Sequence, residues 1–161
     1  MKGVVCYDSV YGSTKQVAEA IAEQLRAEGH EAVLISVKDR PRPKLDGDIM
    51  FIGSPTRWFT MTKDAKDFVK DLRAMGWKGQ PIVMFDTMLG VPEDMGERAR
   101  GEWGRKGAAA KMRDMAKADG LSVREEVLHI GVIGMKGPLT ATGAQEAREY
   151  ASQVLASLGK G

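Results

Sequence analysis

The chain predicts a three-layer α/β fold around a five-stranded parallel sheet, and three observations lead there. Five short, apolar, β-branched runs alternate with four segments of helical periodicity. Parallel neighbours need crossover connections, which those helical segments supply. The first run also passes into the first helix through a loop of Ser, Thr and Gly, which sets an anion-binding junction against the sheet. Right-handed crossovers leave few topologies, and the strand order 2-1-3-4-5 fits such a loop after strand one.

Each element has its own justification. Gly3-Val-Val-Cys-Tyr7 reads as a buried parallel strand, and Val17, Ala18, Ile21, Ala22 and Leu25 then recur at helical spacing until Gly29 stops the helix. Ala32 to Val37 forms the second strand, and Arg40-Pro-Arg-Pro-Lys44 an extended loop, because proline restrains itself and its neighbour. Asp48 to Gly53 is the third strand. Lys63 to Met75 carries Ala65, Phe68, Val69, Leu72 and Met75 on one face, with Thr62 as N-cap and Gly76 as the stop. Pro81 to Phe85 is the fourth strand, followed by a long polar segment from Thr87 to Lys106. A helix spans about Gly107 to Asp119 with Gly120 ending it, and Val127 to Ile133 is the fifth strand. Thr142-Gly-Ala-Gln145 reads as a capping box for a last helix that turns Ala147, Tyr150, Ala151, Val154, Leu155 and Leu158 inward. In this topology three loops meet at the carboxyl ends of strands one and three: residues 8–14, 54–61, and 86 onward.

At 161 residues the chain is expected to be one domain, 1–161, and no linker or repeat argues otherwise. No run approaches the roughly 18 apolar residues of a membrane span, and no signal-peptide pattern opens the sequence, so the expectation is a cytoplasmic protein. One cysteine cannot form an internal disulfide, and its place on the first strand favours a buried, inert thiol. Two histidines and that cysteine point away from a zinc or iron–sulfur site, which leaves redox chemistry to an organic cofactor. A net charge of +2 does not imply nucleic acid. The basic excess is local, since Arg98, Arg100, Arg105, Lys106, Lys111 and Arg113 meet only Glu97 and Glu102 between residues 97 and 113. That stretch is either a solvated face or a docking patch for an acidic partner.

The chemistry concentrates in Tyr7-Asp-Ser-Val-Tyr-Gly-Ser-Thr14. The first amides of the following helix lack intrahelical partners and carry a partial positive charge, which suits a phosphate. The loop has neither the Lys-Ser/Thr ending of a triphosphatase loop nor the spaced glycines of a dinucleotide fingerprint. Ser9, Ser13 and Thr14 offer neutral hydroxyls instead, fitting a phosphate monoester that is bound and not hydrolysed. The plainer alternative is an ordinary strand-to-helix turn with Ser13 as N-cap.

Val5, Tyr7, Ser9, Gly12, Thr14, Ala18 and Ile21 fall on a spacing that resembles the FMN-phosphate signature of flavodoxins, and is similar also to the flavodoxin module of flavodiiron proteins. Cys6 and Asp8 depart from that pattern, and Asp8 should face away, because its carboxylate would repel a phosphate. The resemblance implies a flavodoxin-like fold with FMN as cofactor, its phosphate held by Ser9, Val10, Tyr11, Gly12, Ser13 and Thr14. It implies further that Ser54, Pro55, Thr56, Arg57, Trp58 and Phe59 form one ring-contacting loop, and Thr87, Met88, Leu89 and Gly90 another. Gly101-Glu-Trp-Gly104 resembles the Gly-Trp element of the flavodiiron module, which makes Trp103 a candidate for the outer flavin face. Trp58 and Phe59 in a polar loop call for a flat apolar partner, although at least one is expected to fold back on the helix starting at Lys63. Many flavodoxins place a glycine in this loop whose peptide turns toward the reduced flavin; Arg57 and Trp58 stand there instead, where positive φ costs more. Arg57 with the basic cluster would favour the anionic reduced flavin.

The function so implied is a non-catalytic electron carrier passing low-potential electrons between redox partner proteins. The alternatives are an FMN-dependent NAD(P)H or quinone oxidoreductase using the long third loop as a substrate pocket, and a fold of this kind binding some other phosphate ligand.

Overall fold

The computed structural model of the chain describes residues 1–89, 107–134 and 136–159. The described residues form β1 (Lys2–Tyr7), α1 (Ser13–Ala27), β2 (Glu31–Ser36), β3 (Ile49–Pro55), α2 (Lys63–Lys70), β4 (Ile82–Leu89), α3 (Ala108–Ala118), β5 (Val123–Val132) and α4 (Gly143–Gly159). All neighbouring strands pair in parallel, in the order β2-β1-β3-β4-β5. The topology expected from the crossover argument is therefore the one observed.

Alternation along the central strands divides the core in two. Val4, Cys6, Met50, Ile52, Ile82 and Met84 face α2 and α3, whereas Val5, Ile49, Phe51, Val83 and Phe85 face α1 and α4. Both sheet faces are covered, so the central strands run apolar through the core, at Val4–Cys6, Ile49–Ile52 and Ile82–Phe85. Gly53 is the tightest point: a Cβ there would lie 2.0 Å from the Phe85 ring, so the sheet needs glycine beside that phenyl. Burial pushes the Cys6 thiol far up from its ordinary range, which leaves it protonated and unreactive, as expected from its strand position.

Three boundaries and one cap differ from expectation. α2 ends at Lys70; the segment from Asp71 to Gly76 continues as turns, which still bury Leu72 and Met75. β4 runs on to Leu89, because Thr87, Met88 and Leu89 pair with Ile130, Gly131 and Val132 of β5, so the first three residues of what read as a loop are strand. β5 begins at Val123 and not Val127; Arg124, Glu125 and Glu126 hide it from an apolar pattern, and an edge strand tolerates such charges. The capping box is not made either. Thr142 Oγ1 donates to Glu146 Oε2 at 3.4 Å, and the Gln145 amide donates to Glu149 at 3.2 Å.

Tyr150 on α4 packs at the margin of the α1-side core and donates to the Glu126 carbonyl at 3.1 Å. Burial, reinforced by the Glu126 carboxylate, pushes its phenol up to about 12. The folded chain thus keeps a proton that the unfolded chain loses near pH ~10. The associated stability is fully present below that pH and is lost as pH rises through the folded value. After allowance for solvent screening, the amount is on the order of 1–2 kcal/mol. Urea midpoints between about pH 9 and 12 should fall less steeply for Tyr150→Phe than for the wild type. Parallel slopes would contradict this account.

Candidate functional site

At the carboxyl ends of β1, β3 and β4 lies a cavity of about 520 Å³. The first loop contributes Ser9, Val10, Tyr11, Ser13 and Thr14; the second, Pro55, Thr56, Arg57, Trp58 and Phe59; the end of β4, Thr87, Met88 and Leu89. Two expected residues do not line it. Gly12 is the N-cap of α1 at φ 100, and Ser54 is fully buried behind the wall. Gly90, Trp103 and the basic residues Arg98, Arg100, Arg105 and Lys106 lie outside the described residues.

In the first loop, α1 starts at Ser13, so Ser13 is not its cap. Gln16 N–H donates to the Gly12 carbonyl, which leaves the Ser13, Thr14 and Lys15 amides without intrahelical partners. Ser9 Oγ accepts from Gly12 N–H at 3.0 Å and, more weakly, from Lys15 N–H at 3.4 Å. With its lone pairs so engaged, the hydroxyl proton of Ser9 is left to donate into the cavity. Thr14 Oγ1 and Thr87 Oγ1 are 2.9 Å apart and both residues are buried. Whichever hydroxyl accepts in that pair retains its own proton for another acceptor. Hydroxyl donors and unpaired amides thus converge at the positive end of α1, which is a donor set for an oxyanion.

Asp8 turns its back on this cradle, as its charge requires. Its carboxylate is buried, with Oδ2 accepting from the Thr62 hydroxyl and Oδ1 3.2 Å from the Lys38 ammonium, an ion pair without hydrogen-bond alignment. Thr62 Oγ1 meanwhile accepts from Ala65 N–H at 3.2 Å as the N-cap of α2. Ser54 Oγ accepts from Thr62 N–H at 3.1 Å and donates to the Pro55 carbonyl at 2.9 Å. Asp8, Thr62 and Ser54 therefore tie the first loop to the second from beneath.

The second loop is a tight hairpin. Arg57 and Thr60 exchange backbone hydrogen bonds at 2.8 and 3.0 Å, and both central residues, Trp58 and Phe59, have positive φ, at 50° and 63°. That is the φ pattern of a type I′ turn, which favours Asn-Gly and disfavours bulky residues. Trp58, 93 % exposed, does not fold back on α2, Phe59 is half-buried, and Met61 packs on the core. Both residues of the turn, Trp58 and Phe59, line the cavity. The Arg57 guanidinium sits over the Tyr11 ring, 5.4 Å from its centroid. Replacing Trp58-Phe59 by Asn-Gly should stabilise the apo chain by about 1–2 kcal/mol through relief of strain, while weakening any planar ligand that the rings cover. A denaturation midpoint unchanged from wild type would show that the turn stores no strain.

The third wall joins β4 to α3. Ala108 N–H donates to Thr56 Oγ1 at 3.1 Å and Ala109 N–H to Asp86 Oδ2 at 2.9 Å, so the start of α3 is fastened to the second loop and to β4. Asp86 is fully buried, and its Oδ1 lies 2.8 Å from His129 Nδ1 on β5. The role of His129 is thus structural. Sequence reasoning missed two participants, Val132, which lines the cavity, and Lys136, whose Nζ is 5.8 Å from the Tyr11 centroid; it placed Asp86 in the third loop but missed that its carboxylate accepts from the first turn of α3. The signal for Lys136 was its place in a Gly-Pro turn directly after a strand end, on the ligand side of a parallel sheet.

Comparison with known proteins agrees with this geometry. The family described as "Flavodoxin domain" matches residues 4–133, and the chain belongs to it. Members of that family bind FMN and carry electrons. A flavodoxin from the domain Archaea superposes with a TM-score of 0.73 at 21 % identity, covering 99 % of each chain. Oxidised flavodoxin 1 from Bacillus cereus gives 0.70 at 16 % identity over 96 % of this chain and 97 % of that one. The flavodiiron core from Synechocystis sp. also gives 0.70 at 16 % identity, over 99 % of this chain but 36 % of the larger one.

Proposed function

We propose that this chain binds FMN and carries electrons between redox partner proteins. The observation that carries the reading is the cavity itself: a hydroxyl-and-amide cradle at one end, formed by Ser9, Ser13 and Thr14, and an apolar, aromatic-edged slot at the other. The first end suits a dianionic phosphate, the second a flat heteroaromatic ring, and about 520 Å³ lies within the range of small-molecule sites. When bound, FMN supplies the capacity to accept and give up one or two electrons. The chain's own residues bind, orient and shield. Ser9 and Thr14 donate to the phosphate, Trp58 and Leu89 flank the ring at an open mouth, and Asp8 keeps its charge behind the loop, paired with Lys38.

The donor and acceptor would be proteins meeting the exposed rim at Tyr11, Trp58 and Leu89, with the basic residues Arg98, Arg100, Arg105 and Lys106 drawing in an acidic surface. The cytoplasm is the compartment that accords with the sequence.

Titration of the purified chain with FMN should reach one equivalent, quench the flavin fluorescence and yield a yellow protein that exchanges electrons with an added redox protein. Failure to take up FMN would overturn the reading. Rapid steady turnover of NAD(P)H or a quinone by the loaded protein would move it to the oxidoreductases.

A further inference from the structure

We infer that Lys136, on the turn after β5, is a phosphate-directed residue of the cofactor cradle, a role that rests on the FMN reading above. The turn is built to hold it there. Ile133 N–H donates to the Pro138 carbonyl at 3.0 Å, Gly137 N–H to the Gly134 carbonyl at 2.9 Å, and Val132 bridges to Leu139. Gly137 has φ 86°, and a Cβ added to it would lie 2.6 Å from Ser13 Oγ, so this backbone rests directly on the first residue of α1. Lys136 is next in the chain, and its ammonium approaches the ring of Tyr11, which together with Ser13 lines the cavity.

Besides Lys15, which follows Thr14 in α1, three cations among the described residues approach the first loop from other segments, and they are not equivalent. Lys38 is committed to Asp8, at 3.2 Å from Oδ1, and to the Ser9 carbonyl, at 3.4 Å. Arg57 and Lys136 share the Tyr11 ring, and the ion pairs among the described residues include neither. Arg57 comes from the ring-facing loop, whereas Lys136 comes from the turn that touches Ser13. The division of labour follows from that placement: Arg57 serves the ring end and Lys136 the phosphate end. Tyr11 holds both cations by its π face without neutralising them. A cradle of neutral hydroxyls and amides thereby gains one full positive charge, supplied by a segment distant in sequence from the loop itself.

The experiment separates phosphate from ring by comparing FMN with riboflavin, which lacks the phosphate. Dissociation constants for both ligands would be measured by fluorescence quenching on the wild type, Lys136→Met and Lys136→Arg. Lys136→Met should weaken FMN about tenfold, the order expected for one partly exposed charge-assisted contact. Riboflavin should bind both proteins equally, Lys136→Arg should restore FMN binding, and added salt should shrink the difference. Equal FMN affinity in wild type and Lys136→Met would overturn the role of Lys136 while leaving the cofactor reading intact. A matching loss for riboflavin would overturn it too, because Lys136 would then act by packing on Tyr11. Wild type that binds neither flavin would overturn both readings together.

Discussion

Combining Ser9→Ala with Thr14→Val should lower FMN affinity by about three orders of magnitude. Hydrogen bonds to a charged group contribute about 1.5–3 kcal/mol each, so two of them amount to roughly 4 kcal/mol, or about a thousandfold. Ser9 is a donor because its oxygen is already occupied by the Gly12 and Lys15 amides. Thr14 is one when its oxygen accepts from the Thr87 hydroxyl 2.9 Å away, which leaves its own proton for the phosphate. The two changes act differently on the protein without ligand. Ser9→Ala releases amides near solvent and should cost little. Thr14→Val leaves a buried Thr87 hydroxyl without its partner, at about 1–3 kcal/mol. Fluorescence quenching gives the affinity and a urea midpoint the stability, so the effects separate. FMN binding within tenfold of wild type in the folded double variant would show that these hydroxyls do not hold the phosphate.

How much of this was legible in the sequence depends on whether the relevant force is local. The order of the sheet was legible because uninterrupted apolar runs such as Ile49 to Ile52, alternating with amphipathic helices, permit little else. The first loop was legible because its function rests on neighbouring groups: hydroxyls, a glycine at positive φ and a helix end. The orientation of Asp8 followed from charge alone. What stayed hidden depends on partners far away in the chain. The Thr14–Thr87 pair, the Ala109–Asp86 bond and the approach of Gly137 to Ser13 each join segments that no periodicity connects. The start of β5 was masked because an edge strand carries charges that read as loop. The Trp58-Phe59 turn was misjudged in a more instructive way. Propensity argues against positive φ at two bulky residues in succession, yet the hairpin adopts it. Local strain of this kind gathers at functional sites, and this turn forms the rim of the candidate one.

Thr62→Val should destabilise the chain by about 2–4 kcal/mol although Thr62 does not line the cavity. One hydroxyl holds two ends. It accepts from Ala65 N–H as the N-cap of α2, a contribution of about 1 kcal/mol, and donates to the buried carboxylate of Asp8. Valine keeps the extended φ and ψ of the cap, at −68° and 160°, and nearly the same volume, so the loss is chemical and not steric. It leaves Asp8 with only the half-exposed Lys38 to compensate its charge, and an orphaned buried acceptor costs about 1–3 kcal/mol more. For a domain of this size the midpoint of thermal unfolding should fall by roughly 5–15 °C. Thr62→Ser, which retains both bonds, should stay near wild type. Asp8→Leu in the Thr62→Val background should recover part of the loss, because it removes the charge that valine stranded. FMN affinity should fall with Thr62→Val as well, since Asp8 directly precedes the Ser9 donor and its anchor fixes where that donor points. A loss below about 0.5 kcal/mol, or no recovery with Asp8→Leu, would mean that the two loops are held together by something other than this hydroxyl.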